Sequence, residues 1–122
     1  MKLRIKHNSI RYRLTKSDVK QLTEAGQLED SVDFGSTKLK YAIEITPNQE
    51  LSTALLNNTV MLFMPRFMID ELATTDRTGF ENNAGGLQLL VEKDFTCLDN
   101  VAEDQSDNYP NPLNEKYLEE EG

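Results

Sequence analysis

The residue types that do chemistry are sparse in this chain. One histidine, His7, and one cysteine, Cys97, stand near opposite ends of 122 residues. A cysteine nucleophile needs a neighbour that stabilises its thiolate and a third group that orients the histidine. The spacing supplies neither, so His7 reads as a turn residue and Cys97 as a small apolar residue after the last strand. A metal or enzyme site centred on Cys97 and His7, with Asp99, is the alternative, but transition-metal ligands ordinarily recur at closer spacing. Glu92 and Asp94 alternate on one strand face. Such a pair can do acid–base work, but here it is expected to balance bases on a neighbouring strand, such as Lys38 or Lys40. There is no phosphate-binding glycine loop, no dinucleotide fingerprint, no H-E-x-x-H and no nucleophile elbow. The expectation is a protein that is not an enzyme, with no catalytic residue, no metal and no cofactor.

Surfaces carry more information than motifs. Lys2, Arg4 and Lys6 alternate with Leu3 and Ile5, and Arg11 and Arg13 alternate with Ile10, Tyr12 and Leu14. Period two puts the five cations on one side of a hairpin and the apolar residues on the other. This face is either solvated and balanced by acids such as Glu44 or the tail, or a docking surface for a protein or a small anionic ligand. The stripe lacks interleaved exposed aromatics and the chain is acidic overall, which argues against nucleic acid. A second run, Val60-Met61-Leu62-Phe63-Met64, is apolar on both sides. It is either an interior strand or, extended by Phe67 and Met68 on the next helix, a self-association surface with a C2 homodimer as the default.

These elements read as a unit written twice. Residues 8–22 match 58–72 at an offset of 50, with Asn8/Asn58 and Leu22/Leu72 identical. Ile10, Tyr12, Leu14 and Val19 face Val60, Leu62, Met64 and Ile69. Further on, Leu39, Tyr41 and Ile43 meet Leu87, Leu89 and Val91 at an offset of 48. In the first copy, strands over 2–6 and 10–14 flank a His7-Asn8 turn, where Asn tolerates the left-handed conformation. A helix over 16–25 follows, capped by Thr15 with Asp18 and stopped by Gly26. Strands over 28–34 and 39–45 end the copy. The second copy has strands over 51–56 and 60–64, Pro65 in the first helical turn, a short helix over 66–73, a weak strand over 80–82 and a strand over 87–95. The expected fold is α+β, mainly antiparallel, with two short helices and an internal duplication of a ββαββ unit. The domain spans 1–98, with one repeat over about 1–47 and the other over about 51–96. Its two half-cores are expected to meet at a seam that forms grooves.

Charge is unevenly spread. The net charge is −8, yet residues 1–20 carry +6, and residues 99–122 carry −7 with Lys116 as their one base. That acidic tail is expected either to be solvated or to lie across the basic hairpin with Tyr109 as its anchor. A single cysteine excludes a disulfide framework within one chain, and no apolar run approaches a membrane span. The opening residues also lack the h-region of a signal peptide, so a cytoplasmic location with no membrane partner is expected.

The stretch M-K-L-R-I-K-x-N-S-I-R-Y-R-L-T at residues 1–15, with L-V-E-K-D-F-x-C-L-D at 90–99 and Y-P-N-P at 109–112, resembles a small family of bacterial proteins of unknown function. The resemblance spans essentially the whole chain and brings no activity, cofactor or site residue. It implies an intracellular stand-alone domain in which the stretch from Cys97 to Pro112 packs on the body. The leading expectation is a small binding protein using Lys2, Arg4, Lys6, Arg11 and Arg13. The alternative is a structural homo-oligomer using Met61, Phe63, Phe67 and Met68.

Overall fold

Charged–apolar alternation builds the first hairpin from β1 (Lys2–Lys6) and β2 (Ser9–Leu14), joined by a turn in which His7, not Asn8, takes the left-handed conformation (φ 50°). The computed structural model describes residues 1–95 and 106–110, so Cys97, Asp99 and the segments 96–105 and 111–122 lie outside the described residues. Next comes α1 (Lys16–Ala25). The Thr15 hydroxyl accepts from the Asp18 amide, and the Asp18 carboxylate accepts from the Thr15 amide, so two otherwise orphan donors are satisfied. Gly26 ends the helix at φ 76°, a conformation that costs other residues steric strain. Then come β3 (Gln27–Asp33), β4 (Lys38–Thr46), β5 (Ser52–Leu56), β6 (Thr59–Pro65), α2 (Arg66–Thr74), β7 (Gly79–Ala84) and β8 (Leu87–Lys93). Pro65 closes β6 and precedes α2, which lacks a side-chain cap and is held by its buried Met68, Ile69 and Leu72.

The chain is therefore ββαββ twice, but the halves do not sit side by side. One sheet has the order β1-β2-β8-β7 and the other β3-β4-β6-β5. Each repeat gives one hairpin to each sheet. The hairpins are antiparallel as expected, while the junctions β2–β8 and β4–β6 are parallel. Parallel junctions arise because the hairpins that meet come from different repeats, related by an approximate dyad. The registers obey that dyad: Ser9 pairs with Gln88, and their mates at the offsets of 50 and 48, Thr59 and Lys40, pair likewise. Loop bonds repeat too. Gln88 N donates to Asn8 O at 3.0 Å and Lys40 N to Asn58 O at 2.9 Å. The identical asparagines also reach sideways, Asn8 to the Gly86 carbonyl at 2.7 Å and Asn58 to the Thr37 hydroxyl at 3.4 Å.

Exchange of hairpins gives one core instead of two half-cores with a groove between them. Tyr12, Leu14, Val19 and Leu22 pack in a single cluster with their mates Leu62, Met64, Ile69 and Leu72, and with Ile43, Leu89 and Val91. Met68 is in this cluster, which removes it from any self-association surface. Phe67 stays half exposed on the helix, its ring edge-on to Phe80 of β7 at 6.3 Å, while Met61 and Phe63 are half-buried on the outer side of β6.

The dyad is broken in an informative place. Between the sheets, the Asn82 amide donates to the Leu51 carbonyl at 2.8 Å. The mate of Asn82 is Asp30, which has no proton to give. It lies instead opposite Tyr41, whose phenol is held above its ordinary value by burial and then by the Asp30 charge. Asn82→Asp is expected to lower unfolding free energy by about 1–3 kcal/mol, because a carboxylate then faces a carbonyl. Urea denaturation checks this, and an unchanged midpoint would mean the bond carries nothing.

The Tyr12 phenol is fully buried, and among the described residues its oxygen has no well-formed hydrogen bond. Burial pushes its pKa from 10.0 to about 12, offset in part by the Thr53 hydroxyl, which itself donates to Met61 O at 2.6 Å. The folded state prefers the neutral phenol, so this contribution to stability is complete below pH 10.0 and is lost as pH rises towards about 12. The loss is on the order of 2 kcal/mol by the top of that window. In Tyr12→Phe, unfolding curves should lose this alkaline slope, while stability at pH 7 stays level or rises as the orphan hydroxyl goes.

Candidate functional site

The cationic hairpin face occupies one edge of the first sheet. Lys2 lies opposite Arg13, Arg4 opposite Arg11 and Lys6 opposite Ser9. On the other flank of β2, Arg11 neighbours Leu90 and Arg13 neighbours Glu92. Thus all five predicted cations share one face, and β8 supplies the acid. Glu92 Oε1 stands 3.2 Å from Arg13 Nε and 3.5 Å from Arg11 Nε, while Asp94 Oδ2 stands 3.2 Å from Lys2 Nζ. The counter-charges of Glu92 and Asp94 are therefore these residues and not Lys38 or Lys40. Lys40 is on the other sheet, paired with Glu29 at 3.7 Å. Glu44 is also on that sheet, next to Phe63, and does not balance the hairpin.

These pairs divide the stripe. The end nearer α1, with Lys2 and Arg13, is neutralised. The end nearer the turn is not, since among the described residues Arg4 and Lys6 form no ion pair. There Arg4, Lys6, Ser9 and Arg11 line a depression of about 260 Å³, and among the described residues no acid lies on its walls. Ser9 donates its hydroxyl to the Lys6 carbonyl at 2.7 Å, which fixes the turn side of the seat. Like charges directly opposed across two strands destabilise a sheet, so Arg4 and Arg11 hold an unfavourable arrangement that an anion would relieve. His7 is exposed in the adjacent turn, and Cys97 lies outside the described residues.

Of the acidic tail expected to lie across the hairpin, only residues 106–110 are described, and these pack away from the basic face. Among its described residues, Asp107 meets the first turn of α1: its carbonyl accepts from the Lys16 amide at 3.0 Å and its carboxylate from the Ser17 amide at 3.2 Å. Hydrogen bonds from Thr15 and Ser17 hold the Asp107 carboxyl below the usual carboxylate range, as suits an anion at a helix N-terminus. Tyr109 is an anchor, but at the end of β8 and not on the basic face. Its amide donates to Asp94 O at 2.8 Å, and its ring lies edge-on to Phe95 at 6.2 Å. The ring also receives the ammonium of buried Lys93 at 4.9 Å. Burial lowers the Lys93 pKa, and the nearby Asp76 charge opposes this. Sequence pattern did not find Lys93, which stands at a core-facing position where its repeat mate is Ile45; a lysine there reads as strand-end decoration.

Comparison with known proteins places the chain. A family model described as "Family of unknown function (DUF7009)" matches residues 1–113, and the chain belongs to that family. No curated protein and no solved structure matches it.

Proposed function

We propose that this member of a family of unknown function is a non-enzymatic binding protein that seats a compact anionic group of a partner on Arg4, Lys6 and Arg11. The observation that carries this reading is the acid-free depression beside two opposed arginines. Glu92 and Asp94 support the compactness of the ligand. They cap the cationic stripe on the side of α1, leaving a patch of two strands by two positions, where a continuous polyanion would need an unbroken track. Guanidinium groups suit such a seat, because Arg11 keeps its terminal nitrogens for a ligand while its Nε faces Glu92. The same reading has the chain in the cytoplasm, which its single cysteine supports.

A second reading, self-association through the outer side of β6, is favoured by the accessible Met61 and Phe63 and by the exposed Leu56 on the neighbouring strand. Sedimentation at about 50 μM, a concentration at which a micromolar dimer would be largely assembled, separates the two. A single monomeric boundary would remove the oligomer reading and leave the anion seat standing.

The seat is tested by thermal unfolding in phosphate against chloride at matched ionic strength. At ten times its Kd, phosphate should raise the midpoint by about 5–6 °C. Arg4→Gln should remove most of that gain without lowering the midpoint in chloride, since it relieves a like-charge pair, whereas Arg11→Gln should remove most of the gain while also giving up its 3.5 Å contact with Glu92. Equal midpoints in the two salts, or an undiminished gain in both variants, would overturn the assignment.

A further inference from the structure

We infer that the outer face of the second sheet holds a separate binding site for a guanidinium or primary ammonium group on an alkyl stem. The inference comes from the repeat itself. On the first sheet, Glu92 of β8 is closed by Arg13 beside it and Arg11 diagonal to it, at 3.2 and 3.5 Å. The dyad carries Glu92 onto Glu44, Arg13 onto Phe63 and Arg11 onto Met61, and the registers of β4 with β6 agree. The glutamate is kept and both cations are lost. Among the described residues Glu44 forms no ion pair.

Space is lost and gained at the same place. Leu90, between β2 and β7 on the first sheet, has Ala42 as its mate, placed between Glu29 and Met61. Shortening Leu to Ala leaves a depression of about 360 Å³ whose lining includes Gln27, Glu29, Ala42, Glu44 and Met61. Ala42 and Met61 offer an apolar wall, and a thioether adapts its shape to an alkyl stem. On the rim, Gln21 of α1 donates to the Gln27 carbonyl at 3.3 Å and so is held in place. Glu29 already meets Lys40 at 3.7 Å, so the uncompensated charge is that of Glu44 alone, and one monovalent cation neutralises the site.

Two carboxylates on a strand face identify no ligand by themselves. The first sheet does: the same glutamate position there holds guanidinium groups, supplied by the chain's own β2. The second sheet keeps the acceptor and a cavity beside it, and lacks the donor. The missing donor is then external, an arginine-like or lysine-like group entering over Ala42 with its charge at Glu44. Solvent exposure of Glu44 makes the contact weak for an isolated group.

Butylguanidinium and its neutral isostere butylurea are the probes, titrated into the full chain while the Met61 methyl and the Ala42 and Glu44 amides are followed by NMR. Butylguanidinium should shift these signals saturably, and butylurea should bind about two- to fivefold more weakly, the factor expected of one solvent-exposed charged contact. Glu44→Gln should erase that difference. Ala42→Leu, which installs the residue found at the mate position, should fill the cavity and abolish the shifts while leaving the remaining amide spectrum folded. A capped tripeptide with a central arginine that shifts the same signals would identify the source as a protein side chain.

Met61→Arg gives an independent arm, because it restores the arrangement of Arg11 with Glu92 inside the molecule. It should raise the thermal midpoint by a few degrees and block butylguanidinium, and the added Glu44→Gln should cancel the gain. Equal affinities for the charged and neutral probes, or a Met61→Arg gain that persists when Glu44→Gln is added, would overturn the inference. Shifts confined to the first sheet would do the same.

Discussion

The parallel pairing of strands from opposite ends of the chain is the constraint on which everything else in this molecule rests. β2 lies along β8, and β4 along β6, with registers that map onto each other. Neither repeat contains a complete sheet, and a lone hairpin is marginal in water. Each half therefore gains an interior only by lending one hairpin to the other. The cost is the closure of a long loop, since Ser9 must find Gln88, but closure entropy grows slowly with length while the buried area of the shared core arrives together.

Once the inner sides are committed to that shared interior, the outer sides are free to differ. Core mates keep their character: Leu22 with Leu72, Ile43 with Val91, Leu14 with Met64. Outer mates do not. Arg11 and Arg13 answer Met61 and Phe63, and Leu90 answers Ala42. Glu92 and Glu44 are the instructive exception, an acid retained on both faces with different company. One frame thus presents a cationic face and a face of apolar and acidic residues, each where the sheet is exposed and substitution costs little folding free energy.

The chain end and the buried polar groups show how local chemistry serves the frame. The first turn of α1 leaves amides without helical partners, and Thr15, Asp18 and Asp107 supply acceptors. The amino group of Met1 also stands 2.7 Å from Asp18, so that carboxylate serves the helix cap and the start of β1 together. Lys93 and Tyr109 close the same end of the core, one through the Thr75 carbonyl at 2.9 Å and the other through Asp94.

Much of this was legible before any coordinates. The bounds of α1, its Thr15–Asp18 box and Gly26 follow from nearest-neighbour chemistry, which acts over three or four residues and so is written locally. The repeat was readable because burial imposes the same apolar positions on both copies. The face of Lys2, Arg4, Lys6, Arg11 and Arg13 was readable because period two in a strand leaves no choice of side. What local pattern could not reveal is which hairpin meets which. Antiparallel hairpins carry their pairing in a short turn, whereas the parallel junctions join segments with no turn between them. From those junctions follow the acids that answer the arginines, the position of Glu44 without a cation among the described residues, the burial of Met68 and the hollow over Ala42. Each is a contact between residues distant in sequence, and only the closed tertiary structure decides it.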